Sequence, residues 1–552
     1  MKASTPALYY CGRLLILFFF IFTFVSEHTP AQEAAYQMAR ALTLFLVALC
    51  CLEWRRTRGM LAAFSRCVSR AGTLPVRWYV GGCAAFFLLL AASLSRLLFD
   101  GIPHVGDTHA QFVHAKIMAS GHLYAASHPL RQFFDFQNMI NDGRYYSVYA
   151  PGHLMMLTLG HLVHAPWLIN PILGALTVIA TYLLAQEIGG KRTGLVAVTL
   201  MLMSPFIIFM SSEYMNNATC LLFLTLFLFC YIRQHKTGDY RYAITAGLCV
   251  GYAFITRPQS TLPFALPVAF HAMSLLAQNP RKHFRNTLCL AVPFAVFVGI
   301  LLSYNVIMNG NPWVMSKTDP IKFIAPFSTV ESVAARAGED IGRLNKTVSS
   351  LHSYVFGWPT SSLIFVLLLF LLRGQYRYGN LLIACCLAQL ASLIINPFYS
   401  MIFGPRYLYE TSVILIVLTS LSLVRLPAMI RGRLHVRLPL TASRGALAAI
   451  IVCLFITAFP AHILQWYKGY KNHYWEGNAA FYHLVQTKVQ APALVFCEQY
   501  EAFRWLYFMQ PPEDSNPIIV ALDKGKDNQK LMDYYPDRAV YVISGQDVRR
   551  IR

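Results

Sequence analysis

The sequence predicts an all-α polytopic membrane bundle of about thirteen transmembrane helices, with extracytoplasmic juxtamembrane loops and a small α/β domain at the carboxy terminus. Three observations predict it. Of 552 residues, 56% are hydrophobic and only 13% are charged, and the mean hydropathy is +0.47; a soluble domain carries roughly a quarter charged residues. Apolar runs recur at about the 20-residue length that crosses a bilayer core of about 30 Å. Basic residues crowd every second loop, the positive-inside pattern of cytoplasmic connections.

Taken in order, the apolar runs place spans near 8–25, 35–53, 79–99, 167–188, 194–212, 217–233, 243–257, 259–277, 287–307, 354–372, 380–396, 408–424 and 444–460. They divide the chain into two additional amino-terminal helices with a basic cytoplasmic loop (1–78), a main transmembrane domain (79–460) and a tail (461–552). The first run, Leu14 to Val25 after Lys2 and Arg13, also has signal-peptide length, but no small-x-small cleavage pattern follows, so a retained anchor is expected.

The net charge of +21, 46 basic against 25 acidic residues, raises the question of nucleic acid. Its distribution excludes that class. Arg55, Arg56, Arg58, Arg66, Arg70 and Arg77 share one loop. Lys191 and Arg192, then Arg233, Lys236 and Arg241, then Arg281, Lys282 and Arg285, then Arg373 and Arg377 follow on the same side, and Arg425 to Arg444 close the series. The alternation leaves residues 100–165, 308–353, 397–407 and 461–552 outside the cytoplasm. The expected setting is a bacterial inner membrane with the working face toward the periplasm.

Twelve of the thirteen cysteines lie in spans or toward the cytoplasm, and only Cys497 is in a clear outer region. With no CxxC spacing, neither a disulfide framework nor a zinc cluster is expected. In the tail, Ala493–Phe496, Ile518–Leu522 and Ala539–Ile543 read as short strands with helical segments between them.

The chemistry-bearing residues lie in the outer loops. Asp107 follows Gly106 a few residues beyond a span, and 107–118 reads as a short amphipathic helix. Asp107, Gln111 and His114 share one face; Ala110, Val113 and Ile117 form an apolar face that could rest on the membrane surface. Asp at a helix start is also a favoured N-cap, so a capping role stands beside a catalytic one. His104, His109 and His114 are five apart and diverge around a helix, which does not suit a metal site. Asn141-Asp142-Gly143 is a tight-turn signal. It leads into Arg144, Tyr145, Tyr146 and Tyr149, a set of rings and hydroxyls suited to a sugar or acceptor, or to an interfacial loop. Arg257, in Thr256-Arg257-Pro258, and Arg406, in Gly404-Pro405-Arg406-Tyr407, stand at span ends on the Asp107 side. A guanidinium there either snorkels to headgroups or grips phosphate oxygens with its planar fork.

The outer-loop Asp, the segment Gly143-Arg144-Tyr145-Tyr146-Ser147-Val148-Tyr149-Ala150-Pro151-Gly152, Thr256-Arg257-Pro258 and Gly404-Pro405-Arg406-Tyr407 occur in an order that resembles the GT-C membrane glycosyltransferases. The resemblance is specifically to relatives of protein O-mannosyltransferases and lipid A aminoarabinose transferases, over roughly 79–425. The resemblance implies transfer of a sugar from a polyprenyl-phosphate donor to an extracytoplasmic acceptor, with inversion. It makes Asp107 the catalytic aspartate and Arg257, Arg406, Arg144, Tyr145, Tyr146, Tyr149, His114, Gln111 and Tyr407 substrate-binding. Two departures stand out: Thr108 occupies a place where many relatives have a second acid, and Ala150 replaces a proline. The first leaves dependence on a divalent metal open. No firm cofactor is implied, and the expected partners are the donor, the bilayer and the acceptor. A lipid or sugar transporter is the alternative class. Transporters favour midplane ionisable residues and internal repeats, and the sequence shows few of the former and none of the latter.

Overall fold

The computed structural model describes residues 75–314 and 342–552, apart from 343, 352, 372–377, 396–400, 434–439, 472–478, 512–515 and 546. The spans expected at 8–25 and 35–53, and the basic loop up to residue 74, lie outside the described residues. Seven described helical segments are long and apolar enough to cross a membrane: Val76–Leu97, Pro166–Gly189, Asn217–Thr237, Pro258–Gln278, Pro280–Asn309, Arg406–Met429 and Leu447–Lys471. The protein is an integral membrane protein.

In chain order the elements are α1 (Val76–Leu97), α2 (Gly106–Ala119), β1 (Ala125–Ala126), β2 (Met139–Asn141), β3 (Arg144–Ser147), α3 (Pro151–Leu162), α4 (Ile169–Gly189), α5 (Lys191–Leu202), α6 (Pro205–Met210), α7 (Asn217–Thr237), α8 (Tyr240–Phe254), α9 (Pro258–Gln278) and α10 (Pro280–Asn309). The second half of the bundle holds α11 (Ile364–Leu371), α12 (Gly379–Ile395), α13 (Ser412–Arg433), α14 (Leu440–Ala458) and α15 (Leu464–Lys471). Helix α7 packs between α4 and α8, α1 and α5 flank α4, and α13 closes against α5. Helix α8 lies tightly on α10 because Gly247 and Gly251, four apart, present no side chain. A Cβ at Gly247 would collide with the Leu290 carbonyl, and one at Gly251 with the Phe297 ring. Small residues at this spacing let membrane helices approach backbone to backbone. The far side of α10 exposes Leu288, Val292, Val296 and Ile300, a stripe at four-residue spacing that suits lipid contact.

Three expected spans differ from the structure for local reasons. Residues 194–212 are two helices, not one. Pro205 cannot donate to a continuing helix and holds Ser204 extended (φ −91°, ψ 102°), so α5 ends before it and α6 begins anew. In 354–372 the described helix starts only at Ile364, because Gly357 takes φ +66° and Pro359 follows shortly after. The last span does not stop at 460. Pro460 is absorbed in a widened π-turn over Phe459–Ile463, and the helix resumes as α15 to Lys471.

Above one end of the bundle, α2, a three-stranded antiparallel sheet in the order β1-β3-β2, and α3 form a juxtamembrane layer. The carboxy-terminal residues add α16 (Ala479–Lys488), β4 (Ala493–Cys497), α17 (Tyr500–Leu506), β5 (Ile518–Leu522), α18 (Asn528–Tyr534), β6 (Ala539–Ser544) and β7 (Asp547–Arg550). Their sheet has the order β5-β4-β6-β7, parallel through the first three strands and antiparallel at β7. The charged edge strand β7 carries no apolar run and escapes a hydropathy reading.

The apolar face of α2 does not rest on the membrane. Ala110, Val113 and Ile117 are fully buried in one core with Phe481, Val485, Trp505 and Tyr507 of the carboxy-terminal layer. That layer offers a larger dry surface than a headgroup region, so α2 is clamped between it and the bundle.

Candidate active site

Asp107 is the second residue of α2, but it does not cap the helix. The N-cap is Val105, and Thr108 closes the helix start by accepting the Val105 N–H at 3.2 Å. The Asp107 carboxylate is therefore available to other partners, and it has three. One oxygen lies 2.9 Å from Arg406 Nη1, and Asn138 Nδ2 donates to the other at 3.1 Å. The Tyr149 hydroxyl is also hydrogen-bonded to it. Burial and the adjacent Asp107 charge push the Tyr149 phenol well above its ordinary value, so it remains a proton donor to the carboxylate. Asn138 adopts φ +64°, a left-handed conformation that Asn tolerates better than most residues.

Arg406 reaches Asp107 from across the bundle. The chain turns sharply before it, with Gly404 at φ +94° and no room for a Cβ beside the Tyr354 ring. The Arg406 carbonyl accepts from Asn217 Nδ2 at 2.9 Å, which fixes the backbone. Its guanidinium lies 5.4 Å from the centre of the Tyr407 ring, and that of Arg257 lies 5.8 Å from the same ring. Two guanidinium groups thus flank one aromatic ring, within the cation–π range.

The two arginines differ in their commitments. Arg257 Nη1 donates to Asn216 Oδ1 at 2.6 Å and Asn217 Oδ1 at 3.1 Å. Its Nε lies 3.2 Å from Ser260 Oγ and 3.2 Å from Glu410 Oε1. These contacts engage Nη1 and Nε of Arg257 with the protein's own side chains. Arg406 Nε, by contrast, is buried with no hydrogen-bond partner among the described residues. The Gly152 segment holds this region together. Gly152 N–H donates to the Ile255 carbonyl at 2.8 Å, Tyr252 OH donates to the Gly152 carbonyl at 2.7 Å, and a Cβ at Gly152 would strike Thr256. The Pro151-Gly152 and Thr256-Arg257-Pro258 motifs therefore dock on each other.

Other expected site residues are elsewhere. His114 is buried, with Nδ1 2.9 Å from Ser147 Oγ and Nε2 2.8 Å from the Leu123 carbonyl. Burial lowers it to about 4, so it is a neutral brace between α2 and β3. Gln111 is buried on the same helix. Tyr145 points away from the bundle and bonds the Tyr507 hydroxyl. Tyr146 donates to the Met308 carbonyl at 2.7 Å. Both hydroxyls serve assembly, one toward the carboxy-terminal layer and one toward α10, which corrects their reading as a substrate platform. Arg144 lies over the Tyr124 ring and lines an open cleft of about 650 Å³ with Asp142 and residues 306–310.

Sequence reasoning missed Glu213. It is fully buried between α6 and α7; its Oε1 accepts from the His104 N–H at 3.1 Å and lies 2.9 Å from the Thr108 hydroxyl, while Oε2 has no described partner. Burial, with a contribution from the charge of Asp107, pushes its carboxyl up to about 7. Thr108 replaces a second acid in the sequence, and in space its hydroxyl contacts one. A signal existed: Glu213 is the single acidic residue between Glu187 and Asp239, in the polar break Ser211-Ser212-Glu213-Tyr214-Met215-Asn216-Asn217.

The raised value has a testable sign. Between about 4.5 and 7 folded Glu213 keeps a proton that the unfolded chain has released, so its burial penalty grows as pH rises through that window. Glu213→Gln keeps an acceptor for His104 and Thr108 and removes the penalty. The melting temperature of the variant should match wild type at pH 5 and exceed it at pH 8. An equal gap at both values would contradict the assignment.

The carboxylates Asp107 and Glu213 do not make a metal site by themselves. Asp107 is already engaged by Arg406 and Asn138, and no group of three or more His, Cys, Asp or Glu side chains converges among the described residues. No step is derived through a metal.

The family model described as dolichyl-phosphate-mannose-protein mannosyltransferase matches residues 153–306. No curated protein matches the sequence. The structure resembles ArnT from Cupriavidus metallidurans, solved bound to undecaprenyl phosphate, at 13% identity and TM-score 0.50, covering 84% of this chain and 90% of that one. It also resembles the Archaeoglobus fulgidus oligosaccharyltransferase, at 14% identity and TM-score 0.46 over 80% of this chain and 64% of that one. A third likeness is to the arabinofuranosyltransferase AftD from Mycobacteria, at 16% identity and TM-score 0.45 over 80% and 32%. The fold is like that of ArnT, and the match to the mannosyltransferase family model is confined to residues 153–306.

Proposed function

We propose that this chain transfers a sugar from a polyprenyl-phosphate donor to an extracytoplasmic acceptor (a glycolipid, polysaccharide or protein), with inversion and with Asp107 as general base. The observation that carries the reading is the meeting of Asp107 with Arg406 at 2.9 Å, beside a second guanidinium across the Tyr407 ring. An acceptor hydroxyl gives its proton to the Asp107 carboxylate while its oxygen bonds the anomeric carbon. The bond from that carbon to the phosphate oxygen breaks, and the electron pair leaves on polyprenyl phosphate. Phosphate is a good leaving group and needs no acid, so one base and fixed cations suffice. Arg406 meets the phosphate, while Arg257, paired with Glu410, braces Asn216 and Asn217 behind it.

We read the shorter apolar helices as further spans. We read the carboxy-terminal sheet as a small domain covering the site. Mass spectrometry of envelope glycolipids and glycoproteins should lose a sugar modification when the gene is removed. An unchanged glycan profile would count against the reading.

The proposed sidedness has its own check. In a background free of reactive cysteines, Cys introduced at His122 or Lys526 should react with an impermeant reagent in intact cells, and Cys at Lys282 should not; all three positions are exposed. Labelling at Lys282 alone would invert the topology.

A further inference from the structure

Arg406 and Asp107 form a pair in which only one member can move. Arg406 is 8% exposed, its carbonyl is held by Asn217, and its guanidinium lies beside the Tyr407 ring. The Asp107 side chain is 27% exposed and touches Arg406 through Nη1 alone. The Nε of the same guanidinium is buried without a hydrogen-bond partner among the described residues. A guanidinium presents a two-pronged edge that matches phosphate oxygens, whereas the contact with Asp107 uses a single prong. A phosphate oxygen that takes the Nη1 prong must replace the Asp107 carboxylate there, and like charges brought together in a partly desolvated site repel strongly.

We propose that Asp107 and the donor phosphate are alternative partners of Arg406, so that donor binding expels Asp107 from the ion pair and delivers it, still held by Asn138, to the acceptor side. Asn138 is then a positioning residue: its amide bonds the oxygen that Arg406 does not use, and it is the pivot on which the carboxylate turns. The consequence is an order of events, donor first and acceptor second. An enzyme without donor keeps its base neutralised by Arg406. This inference rests on the proposed roles of Asp107 and Arg406.

The test is equilibrium binding of undecaprenyl phosphate to the full chain in nanodiscs. Removing the competing carboxylate should strengthen binding, so Asp107→Asn should bind roughly tenfold tighter than wild type. Arg406→Gln should bind more weakly, and adding Asp107→Asn to it should bring no gain, because the competition exists only through Arg406. Asp107→Ser, which keeps a neutral hydrogen-bond acceptor, replaces Asp107→Asn if that variant does not fold. Unchanged or weaker binding in the Asp107 variant overturns the exchange, as does an equal gain in the Arg406→Gln background. Glycosyl transfer by the same proteins separates the two ideas. Lost transfer with unchanged affinity defeats only the exchange, and retained transfer in the Asp107 variant defeats the general-base reading beneath it.

Discussion

Asp107→Asn lowers glycosyl transfer by about 10²-fold or more, the range for loss of a general base. The substitution keeps shape and leaves an oxygen for Asn138, while the start of α2 is closed by Val105 and Thr108 and does not depend on residue 107. The variant should therefore remain folded in the membrane with wild-type monodispersity, so the loss is chemical. Turnover near the wild-type rate would remove Asp107 from the chemistry and leave it a partner of Arg406 only.

Arg257→Ala destabilises the protein by about 3–5 kcal/mol, the cost of leaving one member of a buried ion pair alone. The Glu410 side chain is 0% exposed, and Arg257 is the cation at 3.2 Å from it. The same substitution strips the hydrogen bonds to Asn216 and Asn217, the segment that also anchors the Arg406 backbone. A large drop in the thermal transition is expected, with partial recovery in the Arg257→Ala, Glu410→Gln double variant. Arg257→Lys should also lose stability, because one ammonium cannot span the four oxygens that the guanidinium reaches. An arginine that merely snorkelled would tolerate both changes with little shift. Arg406→Lys should instead fold well and bind donor poorly, which distinguishes an assembly arginine from a phosphate arginine.

Much of this was legible in the sequence because membrane helices announce themselves by length and charge alternation. Asp107, Arg257, Arg406 and Tyr407 stand at helix ends on one side, and the fold brings all four into one cluster. Tyr149, drawn from an aromatic run, does touch Asp107, whereas its neighbours Tyr145 and Tyr146 turn to other elements. Alternation along β3 sends Tyr145 and Tyr146 to opposite faces and Tyr149 lies beyond the strand, while a three-residue strand such as β2 leaves no periodicity to read. His114 and Gln111 share a helix with Asp107, but the carboxy-terminal layer packs on that helix and both are buried. Glu213, Asn138 and Glu410 act through contacts with residues 105, 31 and 153 positions away, respectively, and no local pattern encodes such pairings. The burial that sets the Glu213 carboxyl near neutrality exists only once α2, α6 and α7 have met.

The most direct test of the central claim uses the purified chain in liposomes, supplied with a set of polyprenyl-phosphate sugars labelled at the anomeric carbon and with extracted envelope as acceptor. The account predicts that wild-type protein releases polyprenyl phosphate in step with the appearance of labelled product of inverted anomeric configuration. It also predicts that Asp107→Asn does neither. Product of retained configuration, or passage of intact donor across the bilayer with no phosphate released, would contradict it.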